Sequence, residues 1–234
     1  MNYSELFSQI QTYTENQFPD TFVQVTTGGS QTNVNAVTQI NTFIVQAEQR
    51  IYNSVQIPSL RKNVTGNCSS TSKYLACPND YLSTYSLAII NTDGTYEYLL
   101  NKDVNFIRQS YPDPTATGLP RYYALFGSRL NDPNELTFIL GPSPDANYGA
   151  ELHYFYYPES IVTAGTSWLG DNYSPVLLYG SLVEAYTYMK GETDMLAAYN
   201  AKYNEAMQQL NRLGTGLERG DAYRDGQAKI KVNP

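Results

Sequence analysis

Charge is scarce in this chain. Only 16% of its 234 residues are Asp, Glu, Lys or Arg, against about a quarter in an ordinary soluble domain. There is one histidine, and there are two cysteines. Three such residues cannot supply a four-ligand structural zinc site within one chain. His153 would have to serve any Ser-His-Asp triad, and nothing narrows its Ser and Asp partners. No serine is framed as Gly-x-Ser-x-Gly. The phosphate-loop order Gly-x-x-x-x-Gly-Lys-Ser/Thr is missing. Asp93-Gly94 lacks the later ligands of a calcium loop. Carboxylates are numerous enough for a paired-acid glycosidase, but none stands at a diagnostic spacing. No catalytic residue, cofactor or metal ligand is assigned, and His153, inside an expected strand, reads as a half-buried structural residue.

Long apolar runs are also missing. No stretch of about 18 apolar residues occurs, so no transmembrane helix is expected. The start, Met1-Asn2-Tyr3-Ser4-Glu5, has neither the basic region nor the apolar core of an export signal. A reducing compartment is therefore expected, although Cys68 and Cys77 flank a predicted hairpin and could face each other across it. The acceptor patterns Asn63-Val64-Thr65 and Asn67-Cys68-Ser69 carry no meaning without export. Net charge is −7 with a pI near 4.7. That balance excludes a general affinity for nucleic acid, because phosphate binding needs Lys and Arg. An acidic wall can still serve beside DNA by repelling it.

What the chain has instead is tyrosine. There are 22 Tyr against 8 Phe and 1 Trp. Tyr buries a large ring while keeping a hydroxyl for hydrogen bonding, which suits protein interfaces as well as a β-rich core. The run Tyr154–Tyr157 could form a sugar platform, but beside a following helix it reads as core and interface.

Along the chain, residues 3–18 predict a helix with Asn2 as cap and Glu5 as its reciprocal partner. Pro19 stops it, and residues 20–33 read as an exposed loop. A second helix is predicted from Asn33 to Gln56, on the spacing of Val34, Val37, Ile40, Ile44, Ala47, Ile51 and Val55. Strands follow from Leu60 to about Thr163. Arg61–Asn67 with Lys73–Ala76 reads as one hairpin. Tyr81–Asn91 with Thr95–Leu100 reads as another, turned by Asp93-Gly94. Asp103 caps a short helix through Arg108. Tyr122–Phe126, Glu135–Leu140 and Ala150–Tyr157 are further strands, separated by loops at Gly127–Asn134 and Gly141–Gly149. A third helix covers Ser174–Lys190, with a stripe of Leu178, Leu182, Ala185, Tyr186 and Met189. Lys190 suits its terminal dipole and Gly191 its left-handed cap. A fourth runs from Thr193 or Asp194 to Leu213, with Met195, Tyr199, Tyr203, Ala206, Leu210 and Leu213 on one face.

The expected class is α+β. Residues 1–59 and 174–213 would form an antiparallel four-helix bundle, with an inserted antiparallel β module at 60–173, as a compact sheet or barrel, and an extended C-terminal tail at 214–234. The tail shows no apolar period. Its four basic residues (Arg219, Arg224, Lys229, Lys231) and three acidic ones give it +1. It reads either as an unstructured terminus or as a segment that orders on binding, with Tyr223 and Ile230 as anchors and the cations as polar pins.

Several segments resemble those of the head-to-tail adaptor (connector) proteins of tailed bacteriophages, especially short-tailed and marine phages. They are Gln46–Ile51, Pro58–Arg61, Phe138-Ile139-Leu140-Gly141-Pro142, Glu151–Ser160 and Leu178–Glu192. The match covers most of the chain, and its specificity lies in the order of the segments. Residues 20–33 look like an elaboration. The resemblance implies a structural virion protein and not an enzyme. It implies a homo-oligomeric ring of about a dozen copies at the neck, assembled in the host cytoplasm. The partners implied are the portal protein on one side and a tail or nozzle protein on the other, with double-stranded DNA passing in transit and no membrane. The C-terminal tail, through Arg219, Tyr223, Arg224, Lys229, Ile230 and Lys231, would reach the portal. Other readings are a nozzle or tube component, or a carbohydrate-binding tail module.

Overall fold

Helix α1 (Tyr3–Thr14) starts as its first residues dictate. The Asn2 side chain accepts from the Glu5 N–H at 2.9 Å, and the Glu5 carboxylate accepts from the Asn2 N–H at 3.0 Å. The helix stops four residues before the predicted end. Glu15 and Phe18 both take positive φ (49° and 50°). Asn16 Oδ1 accepts from the Phe18 N–H, and the turn swings the Phe18 ring into the core beside Phe43, 5.5 Å between centroids. Burial of one aromatic ring outweighs continued helical pairing here. The computed structural model describes residues 1–18, 21–24, 31–70, 72–113, 115–128 and 136–218.

Part of the predicted loop at 20–33 is a hairpin. β1 (Thr21–Gln24) pairs antiparallel with β2 (Gln31–Val34), and 25–30 lie outside the described residues. Helix α2 (Ala36–Ser54) follows, with Asn35 accepting from the Thr38 N–H at 2.8 Å. It buries Ile40, Phe43, Ile44, Ala47 and Ile51. Val37, predicted on this stripe, is exposed.

The chain divides into two compact units: Met1–Pro58 with everything from Pro158 onward, and Ser59–Tyr157. The second unit holds two four-stranded sheets. In one, β3 (Arg61–Cys68), β10 (Tyr148–Tyr156), β5 (Tyr81–Ile90) and β6 (Tyr96–Tyr98) lie side by side in that order. In the other, the order is β4 (Tyr74–Ala76), β9 (Thr137–Gly141), β8 (Tyr122–Gly127) and β7 (Leu100–Asn101). The predicted pairing of β3 with β4 is wrong. β3 pairs with β10 and β4 with β9, so the two strands belong to different sheets. The β5–β6 hairpin forms as predicted, with Asp93 accepting from the Thr95 N–H and Gly94 at φ 84°. The sheets are not wholly antiparallel, since β7 and β8 run parallel. The predicted strand start at Glu135 lies outside the described residues. Helix α3 (Val104–Ser110) is capped by Asp103.

One apolar cluster joins the inner faces of both sheets: Leu87, Ile89 and Leu152 from one, Phe138, Leu140 and Tyr123 from the other. Tyr81 and Tyr123 meet Phe138 edge-on, at 5.6 and 5.5 Å. Cys68 and Cys77 lie in the same cluster and are not disulfide-bonded. Burial pushes the Cys68 thiol up to about 11. Leu99 carries the chain between sheets: its N–H donates to the Leu87 carbonyl of β5, and the next N–H, of Leu100, donates to the Arg121 carbonyl. The strands therefore follow one another as β3-β10-β5-β6/β7-β8-β9-β4. Among the described residues no backbone hydrogen bond closes β3 onto β4. The result is a barrel-like path with one open seam.

In the first unit, α4 (Ile161–Ala164) and α5 (Trp168–Asn172) are single turns capped by Ser160 and Ser167. Helix α6 (Ser174–Met189) ends with Lys190 itself in the left-handed region at φ 54°, one residue before the expected Gly191. Gly191 is needed for another reason, because a Cβ there would stand 2.6 Å from the Tyr186 ring. Helix α7 runs from Thr193 to Glu218, through Gly214 and Gly216, so the chain is still helical where an extended tail was expected. Gly214 fits against the Gln56 carbonyl, 3.2 Å from where its Cβ would be. The predicted face of α7 is buried at Tyr199, Tyr203, Ala206 and Leu210, but Met195 and Leu213 are exposed.

This is not the expected antiparallel four-helix bundle with an inserted β module. The described residues form seven α-helices, two four-stranded sheets and the β1–β2 hairpin, a mixed α+β fold. The physical reason lies in α6. A bundle helix offers one stripe to a shared axis, whereas α6 buries Val176, Leu177, Leu178, Gly180, Ser181, Leu182, Val183 and Ala185, which spread over far more of its circumference than one stripe. Helices α1, α2 and α7 all pack on it. Gly180 lets two of them close in, its Cβ position lying 3.1 Å from Tyr203 and 3.2 Å from Ala47.

A buried carboxyl fixes α4 to α2. Glu48, 3% exposed, accepts from the Ile161 N–H at 2.9 Å and from the Ser160 hydroxyl. Burial raises its pKa, against the lowering effect of those two donors. A carboxyl raised on folding contributes its stability below its unfolded value, and that contribution is lost as pH rises through the folded value. Glu48→Gln, which stays neutral, is therefore expected to gain in melting temperature relative to the parent as pH rises from about 4 to about 7. Glu48→Ala leaves buried donors without an acceptor and should cost about 1–3 kcal/mol in denaturant titration.

Candidate functional site

Three surface features of the second unit stand out. The first combines cations and aromatic rings at the start of β3. The Arg61 guanidinium lies 3.9 Å from the Tyr85 ring centroid and 4.9 Å from that of Phe155. Register explains the meeting: Arg61 is opposite Phe155 in the β3–β10 ladder, and Tyr85 sits at the β-bulge between β10 and β5. The next residue faces the other way. Lys62 Nζ lies 4.0 Å from the Tyr156 ring centroid and donates to Asp80 at 2.6 Å. Asp80 also accepts from the Tyr154 hydroxyl at 2.8 Å. Burial works to raise the Asp80 pKa, but donation from Lys62 and Tyr154 outweighs it and holds the carboxyl below its usual value. Burial and the adjacent Asp80 push the Tyr154 phenol up to about 12. The aromatic run around Tyr154 thus closes the core and ties β10 to the turn before β5.

The second feature is the open seam. Between β3 and β4 lies a groove of about 290 Å³, lined by Val64, Gly66, Leu75, Cys77, Pro78 and Leu152 among others. β3 is exposed over Lys62–Asn67, on both of its faces. The third feature is a ridge. Tyr96, Tyr98 and Leu100 alternate along the β6/β7 strand and all project outward, at 48, 65 and 60% exposure, while Leu99 between them points into the core.

None of this is a catalytic constellation. His153 stands 3.7 Å from Glu151 with its side chain partly exposed, on a strand flanked by Asn63 and Ser86. No group of three or more potential metal ligands occurs among the described residues. No described helix is long and apolar enough to cross a membrane. The expected portal-contact residues Arg219, Tyr223, Arg224, Lys229, Ile230 and Lys231 all lie outside the described residues. The ridge was missed in the sequence, although its signal was present in the alternation of 96, 98 and 100 with Leu99. The groove left no such signal, since its lining comes from three strands and a turn.

The Asp80 cluster yields a sign-defined test. A carboxyl lowered on folding stabilises above its unfolded value and loses that contribution as pH falls through its folded value. Asp80→Asn is expected to melt below the parent at pH near 7, and the difference should vanish as the pH falls through the lowered folded value of Asp80.

Comparison with known families covers most of the sequence. A family model described as SU10 adaptor protein matches residues 1–228. No curated protein matches the chain.

Proposed function

Because this chain belongs to the SU10 adaptor protein family, and so to the head-to-tail adaptors of tailed phages, we propose that it forms a ring between the portal and the tail or nozzle. The ring joins the two and surrounds the path of the ejected DNA. The observation that carries the reading is the family match, which spans both compact units and all but the last six residues. The work is mechanical: many modest contacts are multiplied by the symmetry of the ring. The acidic balance of −7 supports it, because a negative wall repels the DNA that must slide past. So does the composition, since few charges and many tyrosines favour protein contacts that are desolvated at low cost.

Residues 219–234 then dock on the portal. Tyr223 and Ile230 anchor, and Arg219, Arg224, Lys229 and Lys231 pair with acidic or carbonyl groups there. The test is a deletion placed by the structure. Helix α7 continues to Glu218, and Gly214 packs against Gln56, so a cut after 218 spares the helical unit. The shortened chain should keep its melting temperature and fail to co-sediment with portal rings. Undiminished co-sedimentation would remove the tail from the portal interface.

A further inference from the structure

We propose that neighbouring copies of this chain join through the second unit, the Tyr96–Tyr98–Leu100 ridge of one copy seating in the β3/β4 seam of the next. The argument begins with the order of strands. Along the path β3-β10-β5-β6/β7-β8-β9-β4, two strands separate the ridge from either side of the seam. Ridge and seam therefore lie on opposite sides of the barrel, and a copy cannot place its own ridge in its own groove. The contact is heterologous, head to tail, and repeats from copy to copy until rotation closes it.

The two surfaces suit each other chemically. The ridge offers two tyrosines and a leucine, each exposed well beyond what an apolar side chain needs for packing within its own unit. Side chains at alternate strand positions share one face, so the three present a single continuous edge. The seam offers an apolar lining of Val64, Leu75, Pro78 and Leu152, with Val64 itself 39% exposed. Tyr is, with Trp and Arg, one of the residue types enriched among interface anchors, and here its ring can fill such a pocket while its hydroxyl reaches the rim. Finally, among the described residues β3 is an eight-residue strand paired on one side only. A strand edge left open to water is an invitation to pairing, and a neighbour that covers it removes the hazard.

This inference deepens the adaptor reading, on which ring closure rests. The ridge-to-seam contact itself does not depend on the portal. The test uses full-length chains carrying Val64→Cys or Tyr98→Cys, with the parent as control for the two buried native thiols. Oxidation is carried out on the protein alone at high concentration and again with portal rings present. Mixing the two single variants should give a disulfide-linked dimer that neither gives alone, and the double variant should give a ladder of higher multimers. Tyr98→Ala should weaken self-association at least tenfold without lowering the melting temperature. Crosslinking of the Val64→Cys chain to the portal, or no crosslink between copies in either condition, would overturn the proposal. Co-sedimentation with the portal is read separately. Binding without the copy-to-copy crosslink would leave the adaptor reading standing and remove only this interface.

Discussion

A helix that buries residues well beyond one stripe needs neighbours on several sides, and α6 buries eight of its sixteen residues. Its buried residues run almost without a break from Val176 to Ala185. Three long helices supply much of that cover, and each of them meets the demand with a different device. Helix α2 offers Ala47 at the point of closest approach, and α7 lays Tyr203 over Gly180. Helix α1 ends early so that Phe18 can turn inward. The short α4 is then tied to α2 by a carboxyl that is itself out of water. The unit is organised from one apolar rod outward, which differs from a bundle built around a shared axis.

Local chemistry was the legible part of the sequence. Asn2 with Glu5, Asp103 and the Asp93-Gly94 turn act within three or four residues, and each appears as read. Helical stripes were also legible where one face is buried, as at Tyr199, Tyr203, Ala206 and Leu210. Pairing over long distances was not. Nothing near β3 says that its partner lies some eighty residues on in β10, because alternation marks a strand without naming its neighbour. The stripe of α6 misled in another way: periodicity finds a face only when the opposite face is polar. Helix α7 outran its glycines because Gly214 serves a close approach to Gln56, a tertiary reason that outweighs propensity.

The functional surfaces follow the same division. The cationic and aromatic residues of β3 and β10 were visible as types, but their grouping depends on register and on a bulge. Tyrosine abundance pointed to interfaces and to core alike, and the structure holds both. Tyr81, Tyr123 and Tyr154 close the barrel, whereas Tyr96 and Tyr98 face outward. One-residue alternation around Leu99 separates the two uses.

The helical unit is assembled from two stretches of chain with the whole barrel between them, and this bears on how the protein is made. Helix α2 ends at Ser54 and α6 begins at Ser174. At a synthesis rate of about 5–20 residues per second, the first two helices wait roughly 6–24 seconds for the rod they wrap. During that interval Ile40, Ile44 and Ile51 have no permanent cover. The barrel, contiguous in sequence, can fold on the ribosome first and draw the ends of the helical segments together, which shortens the loop that must close. Birth order thus runs opposite to structural hierarchy: the element that organises the helical unit is among the last to be translated.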